Sequence, residues 1–362
     1  MAQIICISYI PWRNTPSRSQ ALLSHIPDAE VLFFQPSSSY KAGSATPGRQ
    51  VLPNITVYTL PTSLYLAEAR PRTYRRALDF IQSCMDTHGF EEPLLWACTP
   101  MAANLMEELD CRGLVYDCDR IWQELPVNWE SNLAYRADLI LAASPGLEER
   151  LSLCNDNIAC IPAGVDFPLF SMVGQTRLPT PADLKPITTQ GPVFGYLGPI
   201  DAHLSLKPVL VAAKAHPDWQ FVFIGKCHPR NPFLREVKAL PNIHLMGGRS
   251  QAVLPDYLNR FDVCFDLIHT TDPEDDVIPS RIYAYLLSGR PMVAMHLRYA
   301  TPIFPDVVHN AETSAEFLQC CDKALREQNH WARGQRKKYG AAAAWANRYR
   351  DTCELLDLNG LI

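Results

Sequence analysis

Short apolar runs alternate with stretches of helical period along most of the chain. In the first half the runs are rich in Val, Ile and Leu, which is typical of strands in a parallel sheet covered on both faces. The pattern there predicts strands at 4–8, 31–34, 94–98, 114–118, 139–143 and 158–161. Helices fit between them, and two helix starts are marked by a capping hydroxyl followed by proline, at Thr99-Pro100 and Ser144-Pro145.

The same alternation returns in the second half, with strands predicted at 193–197, 220–224, 243–246, 263–267 and 292–295. Between the halves, residues 161–192 follow neither period and are rich in Pro, Gly and Thr, which is typical of a linker. The chain is therefore predicted to be an α/β protein with two doubly wound domains. The predicted divisions are 1–165 for the first domain, 166–191 for the linker, 192–330 for the second domain and 331–362 for a terminal helical segment.

The terminal segment has a helical composition, and no strand follows it. A helix without a sheet of its own has to bury its apolar side on another element. The pattern leaves both domains open as the surface that receives it.

Composition narrows the class of protein. With 362 residues, 47% apolar and 20% charged, fibrous and wholly disordered classes are excluded. The formal net charge of -5 provides no global basic field, so no nucleic-acid partner is expected. No run approaches the roughly 18 apolar residues of a spanning helix. The first ten residues lack the basic start of a secretory signal, so we expect a cytoplasmic protein.

The twelve cysteines are scattered through predicted strands and helices, and no Cys-x2-Cys pair occurs. This distribution predicts reduced cysteines in the core rather than disulfides or a structural zinc site. We expect neither a metal nor a cofactor.

Glycines follow the first three predicted strands of the second domain, at Gly198, Gly225 and Gly247. Doubly wound sheets bind ligands beyond the carboxyl ends of their strands, where glycine lets the backbone approach a phosphate or a base. Tight turns also use glycine, so each position has a purely structural alternative.

Residues 272–291 follow a predicted strand and open a short helix, with Pro279 at its start and Gly289 near its end. The free N–H groups of such a helix start, together with the Ser280 hydroxyl and the Arg281 guanidinium, would form an anion site suited to a pyrophosphate. The alternative is a surface ion pair of Arg281 with Asp275 or Asp276.

In the first domain, Asp119 follows a predicted strand and could act as a general base on an acceptor hydroxyl. An aspartate after a strand is also a common helix cap, so both roles stay open. The loop at 11–20 offers Trp12 for stacking on a sugar, and Arg13 or Arg18 for a lipid phosphate.

A basic, aromatic patch follows in sequence, with arginines at 70, 72, 75 and 76 and tyrosines at 65 and 74. Such a patch suits an anionic membrane surface, whereas a solvated helix face has the same composition.

The motifs of the second half are FGYLG at 194–198, HPDWQFVFIG at 216–225, LPNIHLMG at 240–247, LPDYL at 254–258, FDVC at 261–264 and PSRIYAYL at 279–286. The first half adds VYDC at 115–118, RADL at 136–139, A-S-P at 143–145 and IPAGVD at 161–166. Together they resemble GT-B glycosyltransferases of the group-1 class, particularly bacterial enzymes of the exopolysaccharide and teichuronic-acid type.

That resemblance implies two Rossmann-like domains facing across a cleft, with the terminal helix crossing back to the first domain. The second domain would hold a nucleotide-sugar. Gly247 and its neighbours would meet the base, Ser280 and Arg281 the diphosphate, and Asp276 the donor sugar. Asp119 resembles the base position of inverting relatives, whereas retaining relatives need no base.

The sequence also departs from the family pattern. Where the wider family places a glutamate for the ribose hydroxyls, this chain has Ala284, and the basic pair after the first donor-domain strand is replaced by Tyr196 and Asp201. Phosphate charge then falls mainly on Arg281, helped by Lys207 or Lys226.

The expected function is a metal-independent transfer of a sugar from a nucleoside diphosphate donor to a saccharide acceptor, lipid-linked, in surface polysaccharide synthesis. Contact with the inner membrane face is part of that expectation. The alternatives are a catalytically silent GT-B subunit that binds a partner and a nucleotide-sugar epimerase. A dinucleotide oxidoreductase is disfavoured because neither domain opens with Gly-x-Gly-x2-Gly.

Overall fold

The computed structural model describes residues 1–13, 16–37, 47–61, 71–174, 178–202, 204–267, 276–295, 304 and 307–362, with the side chains of 71–73 left out. These residues form two compact units. Unit 1 comprises Met1–Pro162 and Ala346–Ile362, and unit 2 comprises Ala163–Trp345. Each unit is built on its own sheet.

The described residues contain fourteen strands. They are β1 Ala2–Ile7, β2 Ala29–Gln35, β3 Arg49–Leu52, β4 Ile55–Thr59, β5 Leu94–Ala97, β6 Gly113–Cys118, β7 Leu139–Ala142, β8 Ile158–Cys160, β9 Val193–Leu197, β10 Gln220–Ile224, β11 Ile243–Gly247, β12 Val263–Leu267, β13 Met292–Met295 and β14 His309–Ala311. All eleven strands predicted from the apolar runs are present. The three others, β3, β4 and β14, are three to five residues long and lie toward the sheet edges.

The α-helices of the described residues connect these strands. They are α1 Arg18–Leu23, α2 Pro71–His88, α3 Leu105–Glu108, α4 Val127–Arg136, α5 Pro145–Ser152, α6 Phe167–Phe170, α7 Lys185–Thr188, α8 Lys207–Ala215, α9 Leu234–Ala239, α10 Leu254–Leu258, α11 Ser280–Ser288, α12 Ser314–Leu325, α13 His330–Ala342 and α14 Trp345–Leu358. Both predicted start signals act as expected: the Thr99 hydroxyl caps a 3-10 turn at Pro100–Ala102, and Ser144 caps α5.

The sheet of unit 1 has the strand order β3-β4-β2-β1-β5-β6-β7-β8, and every pair except β3–β4 is parallel. The sheet of unit 2 has the order β11-β10-β9-β12-β13-β14 and is entirely parallel. The direction of winding reverses between β1 and β5 in the first sheet and between β9 and β12 in the second. Ligands of open parallel sheets bind beyond the carboxyl ends of the strands at such reversals.

Residues 166–191 were predicted to be a linker between the domains, and this prediction is wrong because they pack into unit 2. Phe170, Val173, Leu184 and Ile187 are buried in the core of unit 2, and α6 and α7 lie within this stretch. Prolines and polar residues hid these short helices because neither is long enough to show a helical period.

The terminal segment at 331–362 divides between the units instead of forming one returning helix. The first part, α13, belongs to unit 2, where Gly340 lies against the backbone of Leu287. Almost all of α14 belongs to unit 1, as the resemblance implied for the terminal helix. There His25 stacks on Tyr349 with ring centroids 3.8 Å apart.

A buried arginine in α13 ties three segments of unit 2 together. Arg336 is 1% exposed and donates to the carbonyls of Val307 at 3.0 Å and Gly289 at 3.3 Å. It also forms an ion pair with Glu327, whose carboxylate contacts His309 at 3.0 Å. Although burial opposes the charge, these bonds lower the pKa of Glu327 to about 2.

Glu327→Gln is expected to make unfolding less sensitive to acid. Because the pKa of folded Glu327 lies below its ordinary value of 4.5, its contribution to stability is complete above that pH and is lost as the pH falls toward 2. The loss amounts to about 2 to 3 kcal/mol. Urea unfolding of both proteins between pH 6 and pH 3 measures it. A stability difference that stays constant over this range would contradict the role of the ion pair.

None of the helices in the described part of the chain is long and apolar enough to cross a bilayer.

Candidate functional site

The carboxyl edge of the unit 2 sheet, where winding reverses between β9 and β12, brings together the residues singled out in the second half. Gly198 directly follows β9 in the sequence, and α11 is the next helix after β12. The helix starts at Ser280 with Pro279 as its cap residue and ends at Gly289, whose φ of 73° is left-handed, as predicted. The sequence therefore located this edge correctly.

Arg281 does not extend into solvent from the first turn of α11. Its Nε donates to Asp266 Oδ2 at 2.5 Å, and its Nη2 donates to Asp266 Oδ1 at 2.9 Å. Asp266 lies on β12 with its side chain 0% exposed, whereas the arginine side chain is 23% exposed. The alternative of a surface ion pair between Arg281 and Asp276 is wrong, since the partner of Arg281 is Asp266, a carboxylate inside the sheet. Asp275, the other alternative partner, lies outside the described residues.

An aromatic face completes the surroundings of this arginine. The guanidinium carbon lies 5.3 Å from the centre of the Tyr196 ring, and the hydroxyl of that ring donates to the Pro199 carbonyl at 3.1 Å. Burial opposes the positive charge, but the adjacent Asp266 raises the pKa of Arg281 above its ordinary value. Arg281 is therefore a fixed cation at all physiological pH values.

The other predicted donor residues differ in exposure. Ser280 is exposed at the first position of α11, and no side chain caps the helix start. The Ile282 amide donates to the Pro279 carbonyl at 2.9 Å, and no described side chain accepts from the amides of Ser280 and Arg281. Asp276 is only 9% exposed. Its assignment to the donor sugar stays a prediction.

Two of the strand-end glycines, Gly225 and Gly247, are required for different structural reasons. Gly225 abuts the carbonyl group of Gly198 so closely that no side chain would fit, and its amide donates to the Gly247 carbonyl at 3.0 Å. Its expected role as a close-approach point for ligand is wrong on that side, because backbone already fills the space. Gly247 has a left-handed φ of 75°, and the nearest atom to an added Cβ is Arg249 Nη1 at 3.8 Å. Gly247 therefore leaves room beside it.

A polar cluster borders this space. Arg249 donates to Asp183 at 2.6 Å and to the Tyr257 hydroxyl at 2.9 Å, and that hydroxyl donates to Asp183 at 2.9 Å. Although desolvation opposes the charge, bonds from Arg249 and Tyr257 lower the pKa of Asp183. Asp183 belongs to the stretch that the sequence predicted as linker, so this segment helps to shape the edge of the site.

In unit 1, Asp119 lies just beyond the carboxyl end of β6. The Tyr9 hydroxyl, which comes from the segment after β1, donates to Oδ1 and Oδ2 of Asp119, both at 2.9 Å. Burial raises the pKa of Asp119, while Arg18 and the Tyr9 bond oppose the rise. The next α-helix begins at Val127 with Pro126 as its cap residue, so Asp119 is not that helix's cap. A half-buried carboxylate with a raised pKa can accept a proton from a hydroxyl.

Arg18 is wrongly predicted as an acceptor ligand. It is 7% exposed, its Nε donates to the Ile161 carbonyl at 2.8 Å, and its guanidinium forms an ion pair with Asp117. The opposite carboxylate oxygen of Asp117 accepts from Trp96 Nε1 at 3.1 Å. Asp117 lies inside the sheet on β6, and a buried carboxylate needs a cation. Arg18 is therefore a core residue that pairs with Asp117.

The two other predicted acceptor residues remain near the surface. Trp12 is half-buried, packs edge-on against Phe33 at 5.0 Å and donates its backbone N–H to Gln35 at 2.8 Å. Arg13 is exposed. Their contact with an acceptor stays a prediction.

The predicted membrane patch lies partly outside the described residues, which omit Tyr65 and Arg70. Within α2, Arg75 is exposed and pairs with Asp79 one turn later. An ion pair of this kind is typical of a solvated helix face, which is the alternative that the sequence left open. It does not support membrane contact.

In the parts of the chain that the structure describes, no three His, Cys, Asp or Glu side chains converge as a metal ion would need. Metal independence stays a prediction.

Comparison with known proteins adds a separate line of evidence. No protein-family profile matches the chain. Its sequence is similar to TuaH of Bacillus subtilis strain 168, which is named as a candidate glycosyltransferase of teichuronic acid biosynthesis. The two are 24% identical over 259 residues, which cover 65% of this chain and 64% of TuaH. The chain thus matches slightly less than two thirds of this curated relative's length.

Solved structures match the chain over its whole length. Sucrose-phosphate synthase from Thermosynechococcus elongatus gives a TM-score of 0.74 at 14% identity, covering 99% of both chains. Anabaena HepE in complex with UDP and glucose gives 0.72 at 16% identity, also over 99% of both. The chain has the GT-B fold. An E. coli trehalose-6-phosphate structure bound with UDP-2-fluoro glucose shares this GT-B fold, with a TM-score of 0.75 at 12% identity over 100% of both chains.

The GT-B fold confirms the α/β class predicted from the apolar runs and the resemblance seen in the motifs. Two residues at the strand ends of its units were missed. Asp266 interrupts an otherwise apolar strand, and a charge at such a position signals a buried cation partner. Tyr9 follows β1 without any pattern that would connect it to Asp119, 110 positions later.

Proposed function

We propose that this protein is a glycosyltransferase that moves a sugar from a nucleoside diphosphate donor to a saccharide acceptor. The observation that carries the proposal is the placement of Arg281 and the uncapped start of α11 at the winding reversal of the unit 2 sheet. A helix start and a guanidinium are both suited to phosphate groups, and the reversal is where ligands of such sheets bind.

On the donor side, Arg281 and the amide groups around Ser280 would stabilise the negative charge that develops on the departing diphosphate. Lys226, which is exposed directly after Gly225, would add charge. The space beside Gly247 would take the base, and Asp276 would face the donor sugar. Because protein groups would stabilise the negative charge of the diphosphate, we propose that no metal ion is required.

On the acceptor side, we propose that Asp119 is the general base and that transfer is inverting. Trp12 and Arg13 would contact the acceptor, which we propose to be lipid-linked and to be used in surface polysaccharide synthesis at the inner membrane face. Support comes from the similarity to TuaH, which is named for teichuronic acid biosynthesis.

One observation favours a second candidate, a catalytically silent GT-B subunit. Ala284 occupies the helix position where the resemblance implied a glutamate, and it is 3% exposed. No carboxylate can contact ribose hydroxyls from this position. A silent subunit would bind nucleotide without transferring sugar.

Isothermal titration with UDP, GDP, ADP and dTDP is expected to show binding of at least one. A membrane extract supplying acceptors should then support release of that nucleotide from its sugar conjugates, at the same rate with or without EDTA. Binding without release would favour the silent subunit. Binding of none of the four would contradict the proposed function, and loss of release in EDTA would contradict metal independence.

A further inference from the structure

The ion pair between Arg281 and Asp266 has an unusual geometry for an anion site. Two of the three guanidinium nitrogens, Nε and Nη2, are engaged by one carboxylate with 0% exposure. Placing a carboxylate in a sheet interior has a large desolvation cost. The Asp266 carboxylate is shielded from solvent and accepts two bonds from Arg281, so we take its effect to be on the arginine.

The remaining surroundings of Arg281 further restrict the guanidinium. The Tyr196 ring lies 5.3 Å from the guanidinium carbon, and Gly198 lies so near that an added Cβ would stand 3.3 Å from Arg281 Cδ. Tyr196 is itself 1% exposed, and its hydroxyl donates to the Pro199 carbonyl at 3.1 Å, which holds the ring in place. Nη1 makes no hydrogen bond to any residue within the described ranges. The arginine therefore has one edge bound by Asp266, one face supported by Tyr196 and one edge, at Nη1, that no described residue binds.

We propose that Asp266 is a positioning residue, which fixes Arg281 so that its Nη1 edge recognises the diphosphate of a nucleotide ligand. The inference rests on the proposed function and refines it at the donor site. Because the charges of Asp266 and Arg281 cancel, recognition depends on the direction of the N–H groups more than on net positive charge.

In this arrangement, lysine cannot replace arginine at position 281. A lysine at position 281 would still neutralise Asp266, so the buried carboxylate would keep a partner. Its ammonium group, however, is a single point donor and cannot bind a carboxylate on one edge and a phosphate on another in a fixed plane. Arg281→Lys therefore removes the ligand-binding edge while keeping the internal ion pair.

The test compares UDP with UMP, because only the former carries the second phosphate. Titration of the full chain should show UDP binding at least 10-fold tighter than UMP. Asp266→Asn is expected to reduce this ratio by about 10-fold, since the guanidinium is no longer held by two charged bonds. Arg281→Lys should bring the ratio of the UDP affinity to the UMP affinity down to about 1. Adding Asp266→Asn to Arg281→Lys should then have no further effect on that ratio. Arg290→Lys, a change two residues beyond the C-terminal end of α11, is the matched control and should leave the ratio unchanged.

The wild-type protein supplies a readout that needs no variant. In a crystal structure with UDP, both bonds from Arg281 to Asp266 should persist while Nη1 lies within hydrogen-bond distance of a phosphate oxygen. An arginine that leaves Asp266 for the phosphate would overturn the proposal, even if Asp266→Asn failed to fold.

The outcomes also separate this inference from the proposed function. An Asp266→Asn protein that retains the full UDP-to-UMP ratio, or binds UDP more tightly, refutes positioning by Asp266 and leaves diphosphate binding by Arg281 intact. An unchanged ratio in Arg281→Lys refutes both roles of the pair. A wild-type chain that binds no nucleoside diphosphate contradicts the proposed function itself.

Discussion

Asp119→Asn is expected to lower the rate of sugar transfer by about 10²- to 10⁴-fold, the usual contribution of a general base. The side chain is nearly isosteric and can still accept the bond from Tyr9, so the fold of unit 1 should be retained. Transfer measured as nucleotide release with saturating donor and acceptor checks this. Asp156→Asn, which changes an exposed aspartate of the same unit, is the matched control. A variant with more than a tenth of wild-type activity would indicate retention or a different base.

The pH profile separates a catalytic from a structural Asp119. Burial raises the pKa of this carboxyl group, and the base acts only when deprotonated, so activity should fall on the acid side above the ordinary range of aspartate. The bond from Tyr9 lowers the pKa of Asp119. Tyr9→Phe removes that bond and should move the acid limb to higher pH. An unmoved limb would show that the measured ionisation belongs to another group.

Arg281→Ala is expected to destabilise unit 2 by about 3 to 5 kcal/mol, because it leaves the fully buried Asp266 charge without a partner. For a unit of this size, that corresponds to a fall in melting temperature of roughly 6 to 20 °C. The predicted role of Arg281 at the anion site implies, by itself, only weaker diphosphate binding in this variant. The structure adds the stability effect because it shows where the other charge lies.

Calorimetry of three variants tests this reading. Arg281→Ala should melt well below the wild type, and adding Asp266→Asn should recover part of the loss since no buried charge then remains. Arg230→Ala, at an exposed arginine of unit 2, should melt within about 1 °C of the wild type, as surface changes usually do. If Arg281→Ala also melts within that margin, the buried pair does not contribute to stability as argued.

Elements with a strong local sequence signal were located, and elements without one were missed. Strands such as β9, β10 and β12 were located to within one or two residues because buried parallel strands are continuous apolar runs. The start and end of α11 were located because Pro279 and Gly289 have strong local backbone preferences. The edge strands β3 and β14 were missed, since short half-exposed strands carry no such run.

Within the candidate site, position was predictable but pairing was not. Arg281 was correctly placed at the carboxyl edge, whereas its partner was sought among its sequence neighbours and is in fact Asp266. Arg18 was placed in a ligand-facing loop, and it is buried because Asp117 lies beneath it in the sheet.

The order of residues along the chain was enough to determine the α/β class, two doubly wound units and the strand ends that carry the candidate chemistry, because each depends on local preferences and short-range periodicity. Only the tertiary structure decided which polar side chains contact each other. Arg281 with Asp266, Arg18 with Asp117 and Tyr9 with Asp119 are 15, 99 and 110 positions apart. The pairs of Arg18 and Tyr9 form because the segments that follow β1 meet residues at the end of β6, and the pair of Arg281 forms because α11 packs back on β12. No local sequence pattern encodes these contacts.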